Sequence, residues 1–291
     1  MGHCHASLLA SRGVLRIGGA DARKYLQGLI TNDIGKAQGA DAIHAGLLSP
    51  QGKILFDFFA VAAGDGFLID VAQDKADELM KRLGFYRLRA QVEITEEASL
   101  AVAAAWGGTP RPPEGAIVYA DPRLPELGFR ILAPKGTNAA DLGCEPAPEE
   151  AYHAIRIRQG VPEGGRDYAF SEAFPHEVLF DQLNGVDFAK GCYVGQEVVS
   201  RMEHRGTARK RIVPVEGGAP LPASGTSVEA DGVPIGTIGS VSGASGLALI
   251  RLDRAEEALA SGKTLTAGGI KIVLRRPDFL RFSVPIAGVP A

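Results

Sequence analysis

The sequence predicts an α+β protein with two parts, a mixed region over residues 1–206 and an all-β barrel over 207–291. Three observations predict it. Helical and strand-like segments alternate up to residue 206, and short strands separated by Gly, Pro, Asp and Ser follow. A chain of 291 residues with 45% apolar residues is also long enough for more than one core. We expect the mixed region to hold two interleaved subdomains, one over roughly residues 45–140.

The first helix is predicted within "DARKYLQGLITNDI", residues 21–34. Asp21 is a suitable N-cap, and Leu26, Leu29 and Ile30 fall on one helical face. Three strand-like runs follow, which "PQG" and "GDG" separate, so we predict an antiparallel meander over 43–49, 53–62 and 66–71.

The rest of the mixed region is read in the same way. "DKADELMKRLGFYRL" (74–88) is amphipathic, with acidic residues early and basic residues late, which favours a helix. Four more strands are predicted in "QVEIT", "LAVAAAW", "AIVYA" and "LGFRILA". A helix over 148–160 begins at Pro148 and ends at Gly160. In the C-terminal part, only "DRAEEALASG" (253–262) has a helical pattern.

Charge and hydropathy exclude several classes of protein. The formal charge is -3 and the pI is about 6.1, so nothing draws the whole chain to nucleic acid. No apolar run reaches the roughly 20 residues of a membrane span. "MGHCHASLLASRGVL" lacks the apolar core and cleavage pattern of a secretory signal. We therefore expect a soluble cytoplasmic protein with neither nucleic acid nor membrane as a partner.

The three cysteines, Cys4, Cys144 and Cys192, are far apart and form no C-x-x-C pair. This pattern predicts neither a disulfide framework nor a zinc knuckle. "HCH" at residues 3–5 is read as a frayed terminus in preference to a metal-binding segment. No metal site is predicted.

"AKGCYVGQEVVSRMEHRG" (189–206) is the segment richest in chemistry. Val194, Val198 and Met202 keep helical spacing, which places Cys192 just before or at a helix N-terminus. The helix dipole and the positive charge of Lys190 would favour a thiolate there. The alternative, a buried cysteine acting as a small apolar residue, is about equally supported by spacing alone. A Cys–His pair with His176 or His204 as base stays open.

"KGCYVGQE" (190–197) resembles the signature of the YgfZ-type folate-binding family, which is linked to assembly or repair of iron–sulfur clusters. That family is related to the aminomethyltransferase (T-protein) of the glycine cleavage system. Further matching segments extend the resemblance over essentially the whole chain; they are "GADARKYLQGLITNDI", "LLSPQGKILFDF", "IRIRQGVPEGGRD" and "FPHEVLFDQL". The resemblance implies a T-protein-like multi-domain ring of α+β modules with a C-terminal β-barrel, and tetrahydrofolate bound near its centre.

The resemblance also implies residue roles. Cys192 and Lys190 would be the working groups, and Glu177 of "FPHE" matches the carboxylate that accepts from the amino edge of a pterin. Arginine forks suit the carboxylates of the folate tail. The remaining expected folate contacts are Asp57, Tyr193, Gln196, Arg201 and Arg205, with Arg209 as a further candidate for the tail. From the residues alone, Glu177 is read as a helix-start carboxylate and the arginines as a solvated face.

Two positions depart from the T-protein pattern. The paired acids appear here as Phe56 and Asp57, and Leu179 stands where asparagine is frequent. The leading hypothesis is therefore a folate-binding accessory factor for iron–sulfur proteins or cluster carriers, with no established turnover. The alternative is a folate-dependent aminomethyltransferase or demethylase of a small amine. A docking module for RNA or protein over 201–211 is disfavoured, because the run is short and lacks aromatic residues.

Overall fold

The computed structural model describes residues 3–206 and 208–286. Thr207 and the stretch 287–291 of the expected C-terminal domain lie outside the described residues. The chain forms two compact units. The first unit holds the described residues up to Tyr152 together with Leu183–Gln196, and the second unit holds His153–Gln182 together with the described residues from Glu197 onward.

The predicted strands and helices occur in the predicted order, and three strands that were not predicted, His5–Leu8, Arg12–Gly18 and Glu145–Pro146, are added to them. Up to residue 152 they are β1 (His5–Leu8), β2 (Arg12–Gly18), α1 (Ala22–Gln27), β3 (Ala42–Leu48), β4 (Ile54–Ala63), β5 (Gly66–Ala72), α2 (Ala76–Tyr86), β6 (Glu93–Glu96), β7 (Leu100–Trp106), β8 (Ile117–Ala120), β9 (Phe129–Pro134) and β10 (Glu145–Pro146). They continue as α3 (Glu149–Gln159), α4 (Gln196–Arg205), β11 (Lys210–Gly217), β12 (Ser227–Ala230), β13 (Val233–Ser242), β14 (Ser245–Arg251), α5 (Leu252–Ala260), β15 (Leu265–Ala267) and β16 (Ile270–Leu274).

The first unit contains two five-stranded sheets, ordered β3-β4-β5-β2-β6 and β10-β1-β7-β9-β8. The predicted meander is confirmed, since β4 pairs antiparallel with both β3 and β5. The turn between β3 and β4 closes with bonds from Ser49 N to Lys53 O and from Gly52 N to Ser49 O, each 2.8 Å long. The core of the first of these sheets includes Leu26 of α1, Phe56 and Phe58 of β4, and Leu79 of α2.

Buried ion pairs connect the two sheets of the first unit. Asp70 of β5 accepts from Arg12 Nε and from Arg130 Nε, each at 2.7 Å, and Arg130 belongs to β9 of the other sheet. Tyr152 Oη accepts from Arg123 and Arg130 at 2.8 and 3.2 Å. Burying a charge is costly unless it is paired, so these contacts specify which sheet faces meet.

The second unit is built around a closed antiparallel barrel, ordered β11-β14-β13-β12-β15-β16, in which β16 returns to pair with β11. The predicted α+β region followed by an all-β barrel is therefore confirmed. Arg156 of α3, a fully buried side chain, donates to Asp167 Oδ2 at 2.6 Å and to Ser240 Oγ at 2.7 Å. Because Ser240 lies on β13, this arginine fastens the 153–167 segment to the barrel.

The cysteine prediction is wrong in one respect. Cys4 and Cys144 form a disulfide across 140 residues of sequence, with their Cα atoms 4.8 Å apart. The pair forms because β1 lies parallel to β10, where His5 pairs with Glu145. The segment read as a frayed terminus is also ordered from His5, since His5–Leu8 pairs with β7. Within residues 3–206 and 208–286, no helix is long and apolar enough to cross a membrane.

Candidate functional site: an exposed thiol on an anchored loop

Cys192 lies on an irregular loop that ends where α4 begins, at Gln196. It is exposed, and it is the one cysteine of the three that has no disulfide partner. The alternative of a buried apolar cysteine is therefore excluded. The helix starts four residues after the thiol, which agrees with the expectation that Cys192 lies just before a helix. The effect of the helix dipole on the thiol stays a prediction.

Lys190 is the anchor of this loop. Its Nζ donates to three backbone carbonyls around the end of α1, Gln27 O at 2.9 Å, Ile30 O at 2.6 Å and Asn32 O at 2.9 Å. An ammonium group has three hydrogens, so its donors are fully used. The residue is only 8% exposed, and burial lowers the pKa of Lys190 to about 8 although Asp33 and Asp187 oppose the shift. In this geometry, the charged Lys190 side chain holds the loop in place. Its influence on the thiol stays a prediction.

Two residues near the thiol, Tyr193 and Gly195, also pack the loop against the rest of the first unit. The ammonium of Lys190 lies 5.1 Å from the ring centroid of Tyr193, which is buried. Burial, with a further contribution from Asp187, raises the pKa of the Tyr193 phenol. Gly195 has φ +81°, and a Cβ there would lie 2.5 Å from Ser49 O in the β3–β4 turn. Only glycine permits this approach without displacing backbone.

The predicted folate residues fall in both units. In the first unit, Asp57 is buried on β4 opposite Gly46, and Gln196 is the half-buried first residue of α4. In the second unit, the half-buried Glu177 accepts a 2.9 Å bond from the Phe174 amide through Oε2. A carboxylate has about four acceptor positions, so this bond leaves room for a ligand's donors.

Two of the arginines proposed for the folate tail, Arg201 and Arg205, lie on the exposed face of α4, and Arg209 is exposed just before β11. Arg201 donates to Glu197 Oε1 at 2.6 Å in an i, i+4 pair, and Arg205 is exposed in the last turn. Such a surface pair contributes little to stability, about 0.3–0.5 kcal/mol, so Arg201 can be recruited by an anion at small cost. Phe56, at the position of the first T-protein acid, is 1% exposed and belongs to the core of the first unit.

The two histidines proposed as bases differ in environment. His204 is exposed on α4. His176 is buried in the second unit, and its Nε2 lies 3.0 Å from Glu203 Oε2. The segment around it is unusual, because Leu179 is fully buried with φ +67°, a conformation that costs a non-glycine residue about 1 kcal/mol or more. Sequence reasoning singled out neither Leu179 for its backbone nor Glu203 for any role.

Comparison with known proteins assigns the family. Residues 209–282 match the family model for the C-terminal β-barrel domain of CAF17. The chain is 34% identical over 273 residues to the iron–sulfur cluster assembly factor IBA57 of Homo sapiens, a match that covers 83% of this chain and 76% of that protein. The chain belongs to the IBA57 family.

Other relatives of this family are longer. The Neurospora crassa protein, an IBA57 homolog, is 34% identical over 244 residues, which is 75% of this chain and 56% of that protein. The Pyricularia oryzae homolog is 37% identical, over 71% of this chain and again 56% of its own length. The chain thus spans little more than half the length of these two relatives.

A solved structure supports the fold. The glycine cleavage system aminomethyltransferase T from Bartonella henselae aligns with a TM-score of 0.76 over 96% of this chain and 87% of its own, at 14% identity. This IBA57-family chain therefore has an aminomethyltransferase-like fold with a closed six-stranded C-terminal barrel.

The expected cytoplasmic location is wrong. The IBA57 proteins of Homo sapiens, Mus musculus and Neurospora crassa are all described as mitochondrial, which points to the mitochondrion. The expectation failed because net charge and hydropathy carry no information about which compartment holds a protein.

Proposed function

We propose that this chain is a folate-binding accessory factor, of the YgfZ type, for the assembly or repair of iron–sulfur clusters in client proteins. Membership of the IBA57 family, whose human member is named an iron–sulfur cluster assembly factor, is the observation that carries the proposal. The proposal assigns the chemistry to the exposed thiol of Cys192. Lys190 holds the loop that carries this thiol to the first unit.

Cys192 acts as a sulfur ligand or sulfur nucleophile toward iron in this proposal. Thiolates are the ligands that iron–sulfur clusters prefer, and a cluster generally needs four. One exposed cysteine is too few to hold a cluster alone, so the partner, an iron–sulfur protein or a cluster carrier, supplies the rest. An exposed position suits such a shared role, because both proteins must reach the same iron.

Folate is the cofactor that this fold implies, and the residues present fit it. The spare acceptor capacity of Glu177 suits the amino edge of a pterin. The exposed guanidinium groups of Arg201 and Arg205 suit the tail carboxylates. When bound, a reduced folate supplies one-carbon or redox chemistry. Asp57, Tyr193 and Gln196 of the first unit stay folate contacts predicted from the sequence.

Aminomethyl transfer to or from a small amine is the weaker proposal. In the T-protein pattern, an acid at the position of Phe56 helps to activate folate, whereas here a core phenylalanine fills it. Asp57 remains, yet a single buried carboxylate does not replace a pair. No observation of the described residues favours turnover over an accessory role.

Complementation tests the thiol. In a host that lacks its own gene of this family, the wild-type chain is expected to restore the activity of an enzyme that depends on a [4Fe–4S] cluster. Cys192→Ser is expected to fail, because a hydroxyl is a poor iron ligand. Ala189→Ser, an exposed position on the same loop, is the matched control and should behave as wild type. Full rescue by Cys192→Ser would contradict the proposal.

Calorimetric titration with tetrahydrofolate tests the cofactor separately. Glu177→Gln keeps the shape of the side chain but loses its charge, and should weaken binding by about tenfold or more, since a charge-assisted bond is worth about 1.5–3 kcal/mol. Cys192→Ser should bind as tightly as wild type. Equal affinities for wild type and Glu177→Gln would remove the carboxylate from the folate site.

A further inference from the structure

Three side chains of metal-ligand type converge in the second unit. They are His176 and Asp181, from the irregular segment before residue 183, and Glu203, from the end of α4. One ligand atom from each lies within 4.8 Å of the other two. We infer that these residues bind a single divalent transition-metal cation, with Zn²⁺ as the reference ion. This inference does not rest on the proposed function, and neither Cys192 nor folate takes part in it.

His176 supplies the nitrogen ligand. Its side chain is 1% exposed, and Nε2 lies 3.0 Å from Glu203 Oε2, so the imidazole already presents this nitrogen to the cluster. Neutral imidazole is the commonest nitrogen ligand of zinc and related ions. Metal cations compete with protons for nitrogen and carboxylate ligands, so we expect the affinity for the cation to fall as the solution becomes acidic.

Asp181 supplies an oriented carboxylate. Both of its oxygens accept from Arg211 Nη1 at 2.8 Å, and the same nitrogen donates to His176 O at 3.0 Å. Gln182 Nε2 also donates to Asp181 Oδ2 at 2.6 Å. Outer-shell donors of this kind commonly fix the ligands of metal sites, and a carboxylate oxygen with one hydrogen bond retains a lone pair.

Arg211 also influences which kind of cation the site prefers. Its positive charge offsets one of the two carboxylates, those of Asp181 and Glu203, and so lowers the attraction for any cation that is held by charge alone. Mg²⁺ and Ca²⁺ require several oxygen ligands and gain little from an imidazole. A first-row transition ion gains from the His176 nitrogen, so the site discriminates in favour of such ions.

Glu203 provides the open side of the site. Its side chain is 43% exposed, whereas those of His176 and Asp181 are buried. Tetrahedral zinc with bonds near 2.1 Å needs ligand atoms roughly 3.4 Å apart. The ligand atoms, which lie within 4.8 Å of one another, must therefore draw together around an ion, and the exposed Glu203 side chain can rotate to adjust its own distances. Three protein ligands leave one position for water, as in zinc sites that exchange their ligands.

A zinc titration of the complete chain, monitored by calorimetry, tests the inference. It is made in a Cys192→Ala background, which removes the exposed thiol as a second ligand. We expect one zinc ion per chain, with an affinity that falls from pH 7.5 towards pH 6 and that excess Mg²⁺ does not compete away. Glu203→Gln is expected to weaken binding by about tenfold or more.

The matched control is Glu257→Gln, an exposed glutamate of α5 that pairs with Arg254 and should leave zinc binding unchanged. His176→Gln should abolish binding, and circular dichroism shows whether this buried variant is folded. Glu203 is exposed, so its variant keeps the test valid even if His176→Gln does not fold. A plain ion pair between His176 and Glu203 predicts no saturable zinc binding. That result, or zinc binding that Glu203→Gln leaves unchanged, would overturn the inference.

Discussion

Replacement of Lys190 by methionine tests the anchor of the thiol loop. Methionine keeps most of the length of the side chain but leaves three carbonyls, the buried ones of Ile30 and Asn32 and the partly buried one of Gln27, without their donor. A buried acceptor that loses its partner costs about 1–3 kcal/mol, which gives roughly 6 kcal/mol for three.

Part of this cost is recovered, because the charge no longer has to be buried. The fall of the Lys190 pKa from 10.5 to about 8 corresponds to about 3 kcal/mol. The expected loss in the free energy of unfolding is therefore about 3 kcal/mol at pH 7. At that pH the ammonium outnumbers the amine roughly ten to one, so the wild-type loop is anchored by a charged group.

Urea denaturation measures the total loss, and hydrogen exchange locates it. The amide of Asp187, which donates to Thr31 O at 3.0 Å, should lose protection together with the rest of the loop. Lys36→Met is the matched control, because Lys36 also reaches the loop, through a 2.9 Å pair with Asp187, but is largely exposed. It should cost no more than about 1 kcal/mol. Equal destabilisation by the two variants would refute the anchor.

Three further predictions concern stability. Gly195→Ala should lower the free energy of unfolding, measured by urea denaturation, by about 2–4 kcal/mol, because φ is +81° and the new Cβ would meet Ser49 O. Gly191→Ala, where a Cβ meets open space, is the control and should be nearly neutral. Equal effects of the two substitutions would contradict this account. Reduction of the Cys4–Cys144 disulfide should lower the free energy of unfolding by about 2–4 kcal/mol, and an unchanged Tm with dithiothreitol would show that the bond adds nothing. His44 is buried, and burial together with Arg123 lowers its pKa from 6.5 to about 4. The unfolded chain therefore binds the proton more tightly, and up to about 3 kcal/mol of stability should be lost as the pH falls from about 6.5 to 4; His44→Gln should flatten this part of the pH profile, and a profile unchanged by the substitution would contradict it.

The local elements were predictable because their causes are local. The meander follows from apolar runs as long as strands and from glycines at 52 and 64, which take the positive φ that the turns need. The helix over 76–86 follows from apolar residues at helical spacing, of which Ala76, Leu79 and Leu83 are buried. The barrel follows from short strands separated by turn residues, although closure itself is a tertiary property.

What was not predictable depends on residues far apart in sequence. The acceptors of Lys190 precede it by 158 to 163 residues, so the sequence around Lys190 could not indicate them. Cys4 and Cys144 are 140 residues apart, and only the pairing of β1 with β10 brings them together. His176 and Glu203, 27 residues apart, match no metal-binding spacing.

The motif "KGCYVGQE" therefore divides into two kinds of residue. Lys190, Tyr193 and Gly195 are committed to the first unit, through carbonyls, a buried ring and a close approach to the β3–β4 turn. Cys192 lies among them and is exposed. A loop that is fixed on both sides of the exposed thiol holds it in place without burying it. If the thiol shares iron with a partner, as we propose, that combination favours binding, because a fixed ligand loses less conformational entropy.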